Sequence, residues 1–95
     1  MAAQGEASGA GRVSAAFERA VRREREAIAA HDRAAQLHDT AGALCEQRAL
    51  TESDEVRREQ LVEQAGLERA RALNARMRAA RARKRLADEG CDPDG

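Results

Sequence analysis

The chain has no tryptophan and no tyrosine, one phenylalanine (Phe17), one proline (Pro93) and no net charge at pH 7. Each shortage excludes something. Without aromatic rings there is little to wall a deep small-molecule pocket, and no platform on which single-stranded bases could stack. The 42% hydrophobic content hides a further shortage. By count 23 of those residues are alanine, while Leu, Val, Ile and Phe together number 13 among 95 residues. Fully burying each of these would contribute about 1.5–3 kcal/mol, against roughly 1–2 kcal/mol of backbone entropy per ordered residue. A compact core of ordinary size is excluded.

Two cysteines, Cys45 and Cys91, form neither a disulfide framework nor zinc spacing, as expected of reduced thiols in a cytoplasmic protein. The first eleven residues (MAAQGEASGAG) lack the basic and apolar regions of a signal peptide. No run approaches the ~18–20 apolar residues of a membrane span, so no membrane partner is expected. There is no catalytic triad, phosphate-cradling loop or cofactor motif. The expectation is a non-enzyme without cofactor, metal site or catalytic residues.

What is present is helix-forming composition, dominated by Ala, Arg, Glu and Leu. Segment 1–11, with three glycines, reads as a disordered arm. From position 12 to 89 there is no proline, and only Gly42 and Gly66 interrupt good helix formers. Gly90 then stops the helix, leaving 91–95 as a frayed tail. Near 50–55 the N-cap residue types Thr51 and Ser53 precede a cluster of acids, which the helix dipole favours at an N-terminus. The pattern predicts an all-α fold: two long helices, 12–50 and a second within 51–90, folded as an antiparallel hairpin. One continuous helix is the alternative, and the whole is a single domain.

Heptad spacing supplies candidate seams. On the first helix Ala20, Ala27, Ala34 and Ala41 alternate with Leu37 and Leu44. On the second, Leu67, Ala70, Leu73, Met77 and Ala80 form the corresponding stripe. His31, His38 and Cys45 recur every seven residues, a rise of about 10.5 Å, too far apart to bind one ion from one helix. They read as polar notches that fix register. Gly66 reads as a point of close helix approach. The Gln60–Leu73 stretch also has the layout of a helix-turn-helix, with Gly66 in its turn.

The zero net charge is a cancellation. Residues 51–68 carry two basic and six acidic groups, residues 69–87 carry eight basic and none acidic, and residues 88–95 carry four acids. The eight cations are Arg69, Arg71, Arg76, Arg78, Arg81, Arg83, Lys84 and Arg85. Pairing the basic block with residues 12–26, which hold five basic and three acidic groups, would not neutralise it. Antiparallel pairing of two second helices from different chains would. The leading expectation is therefore a coiled-coil interaction module that self-associates as an antiparallel homodimer and acts as an assembly or adaptor protein. Another helical protein is a further candidate partner. The alternative is a small nucleic-acid-associated protein whose eight cations contact phosphates.

The phrase Ala30-His31-Asp32-Arg33-Ala34-Ala35-Gln36-Leu37-His38-Asp39 resembles the repeated A-H-x-R-A-A-x-L-H-x phrase of small uncharacterised helical proteins of actinobacteria. It covers ten residues, about a tenth of the chain. The resemblance implies an all-helical, actinobacterial, cytoplasmic protein, and carries over neither an activity nor site residues. The Leu44-Cys45-Glu46 unit departs from the phrase by placing Cys where a further His would stand.

Overall fold

The computed structural model describes residues 2–95, with side chains described from Gly11 onward. Two helices account for nearly all of it: α1, Ala2–Thr51, and α2, Glu55–Asp88. They pack antiparallel along one another in a rod with extents of 80 × 20 × 17 Å. The hairpin expected from the sequence is therefore the fold, and the continuous helix is not. The first helix starts at Ala2 rather than at position 12. Extending a formed helix adds one hydrogen bond per residue fixed, and Ala2, Ala3, Ala7 and Ala10 favour that extension over the cost of the three glycines. Met1 and the side chains of residues 2–10 lie outside the described residues.

The break falls where the acids cluster, in the linker 52–54. The cap is Asp54 rather than Thr51 or Ser53: its backbone is extended and its Oδ1 accepts from the Arg57 N–H at 3.1 Å. Glu52 braces the turn from both ends. Its side chain accepts from the Asp54 N–H, and its carbonyl accepts from the Arg58 guanidinium. Thr51 stays inside α1, bonding back to the Arg48 carbonyl.

Gly90 ends α2 as expected, with φ +77°. The Gly90 N–H donates to the Ala87 carbonyl and the Cys91 N–H to that of Leu86, the paired bonds of a Schellman motif. The tail 91–95 then folds back along the hairpin. Cys91 packs on the Leu86 cluster, the Asp92 carbonyl accepts from Arg25 Nε at 2.8 Å, and Asp94 approaches Arg83. The turn re-aims the chain toward α1, which a reading of composition alone does not reveal.

The seam between the helices is made of alanine. On α1 the buried column is Val21, Ile28, Ala35, Gly42 and Ala49, one residue per heptad. On α2 it is Ala65, Glu68, Ala72, Ala75, Ala79, Ala82 and Leu86, with alternating steps of three and four. The larger residues, Val21, Ile28 and Leu86, cluster at the open end with Ala79 and Ala82. Toward the turn the side chains shrink to Ala and Gly. A Cβ on Gly42 would lie 3.3 Å from the Arg69 Nε and 3.5 Å from the Ala65 carbonyl oxygen, so glycine at this position lets α2 pass close. Small side chains bring the two backbones together, and dispersion over many short contacts replaces the missing large core.

Candidate functional site

Three arginines of α2, seven residues apart, meet three acids of α1, also seven residues apart. Arg83 pairs with Asp32 at 2.5 Å, Arg76 with Asp39, and Arg69 with Glu46 at 3.1 Å and Asp39 at 3.5 Å. This ladder runs along one side of the seam. On the other side Arg85 pairs with Glu24 at 2.6 Å. The basic block is thus met largely from within the chain, against the expectation that it needed a second chain. That expectation weighed only residues 12–26; the hairpin register sets the block against Asp32, Asp39 and Glu46 as well. Matched seven-residue spacings in both helices are the sequence signal for this ladder. Hydrogen bonding from Arg76, reinforced by the charges of Arg76 and Arg69, holds the Asp39 carboxyl below its ordinary range despite partial desolvation.

Six of the eight candidate phosphate contacts have carboxylate partners. Beside the four above, Arg71 pairs with Glu68 at 2.8 Å and Lys84 with Asp88 at 2.8 Å. Arg78 and Arg81 make no ion pair among the described residues.

Among the described residues, the seam contains one charged residue, Glu68, only 8% exposed among the alanines. The His38 Nδ1–H donates to its Oε2 at 2.7 Å, and Arg71 and Gln64 donate to its Oε1. A carboxylate only accepts, so the contacting histidine nitrogen carries the proton. The hydrogen bond from His38 is the largest influence holding the Glu68 carboxyl below its ordinary range, with Arg71 adding to it. His38 is thus a polar notch in the seam, and the pairing fixes register because sliding either helix would strand a buried carboxylate. His31 and Cys45 are half-buried on the same row. Among the described residues, no three His, Cys, Asp or Glu side chains gather closely enough to hold a metal ion. Cys45 and Cys91 are free thiols.

The eleven candidate seam residues do not line this internal seam. Ala27, Ala34 and Ala41 are half-buried at its flank, while Ala20, Leu37, Leu44, Leu67, Ala70, Leu73, Met77 and Ala80 are exposed. Each helix carries two heptad stripes. The alanine stripe, flanked by matched charges, closes the hairpin; the stripe holding the leucines is turned outward. Leu37 is 71% exposed and Leu73 57%, with Phe17, Leu44, Val62, Leu67 and Met77 also substantially in solvent. Ala72 and Ala79, by contrast, are fully buried. Apart from the Val21, Ile28 and Leu86 cluster at the open end, the fold has its small residues inside and its large ones outside.

The helix-turn-helix reading fails here, because α2 runs unbroken through Gly66. A cleft of about 490 Å³, open to solvent, lies at the hairpin turn among Arg48, Thr51, Glu52, Arg57, Gln60, Leu61 and Gln64. Among the described residues, no helix is long and apolar enough to cross a membrane. No protein-family model, curated protein or solved structure matches the chain, so its function is argued from this geometry.

Proposed function

We propose that the protein is a cytoplasmic, non-enzymatic helical interaction module that self-associates, as an antiparallel dimer, and serves as an assembly or adaptor protein. One observation carries the reading: the hairpin closes on alanine and leaves Leu37, Leu44, Leu67, Leu73 and Met77 exposed. Leucines placed at heptad spacing on an outer face have no role in closing the hairpin, and exposed apolar patches of this kind mark interaction surfaces. Burial of that face in an assembly supplies the apolar contact that the single chain lacks. The motive for assembly is thus chiefly hydrophobic rather than electrostatic, since most of the basic block is already matched by carboxylates.

Sedimentation equilibrium at micromolar concentration tests the reading. The expected result is a mass of twice the 10.3 kDa chain, falling toward one chain on dilution. A fully helical monomer throughout the range would overturn it.

A further inference from the structure

Gly66 is a helix-interior glycine that the hairpin does not explain. Glycine there is disfavoured relative to alanine. Gly42 is accounted for by the close passage of α2, but a Cβ added to Gly66 would meet nothing within 4 Å. Gly66 lies on the outward stripe of α2, which reads Glu59, Glu63, Gly66, Ala70, Leu73, Met77, Ala80, Lys84 in steps of four and three. The stripe is apolar at its centre, acidic toward its N-terminal end and basic toward its C-terminal end. Glu59 and Glu63 make no ion pair among the described residues. Lys84 makes only an exposed pair with Asp88, one turn along its own helix.

A stripe with this order is complementary to itself when reversed. Resting on the self-association proposed above, we infer that the occupant of this face is the same α2 stripe of a second copy, antiparallel, with the two-fold axis at Leu73. Residues equally far, to within one position, on either side of the axis then meet. Gly66 lies against Ala80 of the second copy, small against small, so the backbones approach closely where the glycine has no other use. The two Leu73 side chains meet at the centre, with Met77 of each copy beside Ala70 of the other. Glu63 reaches Lys84 of the second copy, and Glu59 flanks it one turn farther out. The interface is isologous, as a two-fold dimer requires. Its charged ends set antiparallel over parallel pairing, because a parallel arrangement would place acid on acid and base on base. The stripe of α1 that carries Leu37 and Leu44 is left free in this dimer.

Cysteine cross-linking tests the register. In a chain with Cys45→Ala and Cys91→Ser, single cysteines are placed by Leu73→Cys, Gly66→Cys, Ala80→Cys and Leu37→Cys, and each protein is oxidised at micromolar concentration. Circular dichroism and light scattering verify helicity and mass before oxidation. The inference expects Leu73→Cys to give a disulfide-linked dimer. It expects Gly66→Cys alone to give none, because the two copies of residue 66 lie about 21 Å apart along the axis. An equimolar mixture of Gly66→Cys and Ala80→Cys is expected to give the mixed dimer. Cross-linking of Gly66→Cys to itself means parallel pairing and overturns the inference. Cross-linking of Leu37→Cys without Leu73→Cys moves the interface to α1 and overturns it also, while leaving self-association standing. A monomeric mass before oxidation removes both.

Discussion

Replacing Leu73 by alanine separates the two jobs that the apolar residues of this chain perform. In the hairpin Leu73 is 57% exposed, and alanine is the better helix former. The fold of the single chain should therefore change by no more than about 0.5 kcal/mol, as at other surface positions. In the two-fold dimer, the exposed part of each Leu73 becomes buried. The substitution removes three carbons at about 0.8 kcal/mol each, and roughly 57% of that value, or ~1.4 kcal/mol per copy, belongs to association. Two copies give about 2.7 kcal/mol, equivalent to about a hundredfold in dissociation constant. The assay is sedimentation equilibrium over a dilution series, with helicity followed by circular dichroism. The expected result is a dissociation constant raised about a hundredfold with helicity retained at concentrations where the variant is monomeric. Unchanged association would refute the placement of Leu73 in the interface. Loss of helical structure in the variant would refute the claim that the hairpin closes without Leu73.

Other perturbations probe other parts of the account. Ala79→Leu puts a large side chain into a fully buried position and should lower stability by about 1–3 kcal/mol; a thermal melt equal to wild type would count against the close seam. Gly66→Ala, made in the monomeric Leu73→Ala background, adds a Cβ to open space and should raise hairpin stability by up to ~1 kcal/mol; a lower melting temperature would show an unrecognised contact within the chain. Acidification should destabilise the hairpin. Glu68 and Asp39 are held below their ordinary values of 4.5 and 3.8, so the stability they contribute is present above those values and is lost as pH falls through the lowered folded ones. Melts recorded between about pH 7 and pH 2 should hold down to about pH 5 and then decline, and a melting temperature that rises on acidification would contradict the roles given to both carboxylates.

Much of the architecture is legible in the sequence, because helix propensity and breaks are local properties. The Leu50–Glu55 turn was marked by its acids, and the Gly90 stop by its glycine. The seven-residue spacing of His31, His38 and Cys45 marks a row of polar notches, and His38 pairs across the seam with Glu68. What escaped the sequence was the choice between two heptad stripes on each helix. Leucine ordinarily marks the inward stripe, since it buries more apolar area than alanine, and that rule selected the stripe of Leu37, Leu44, Leu73 and Met77. The inward choice was set instead by what flanks each stripe. Asp32, Asp39 and Glu46 match Arg83, Arg76 and Arg69 only when Ala35, Gly42, Ala72 and Ala79 face each other. Glu68 was invisible as a seam residue for the same reason: a charge on a heptad core position reads as a defect until its partner is known.

The central claim is that alanine folds this hairpin and leucine assembles it. The most direct test is the mass and helicity of a variant with Leu67→Gln, Leu73→Gln and Met77→Gln, three outward positions changed to a good helix former. The account predicts that wild type sediments as two chains and the variant as one chain of 10.3 kDa, with equal helicity. A variant that unfolds, or one that still sediments as two chains, would contradict it.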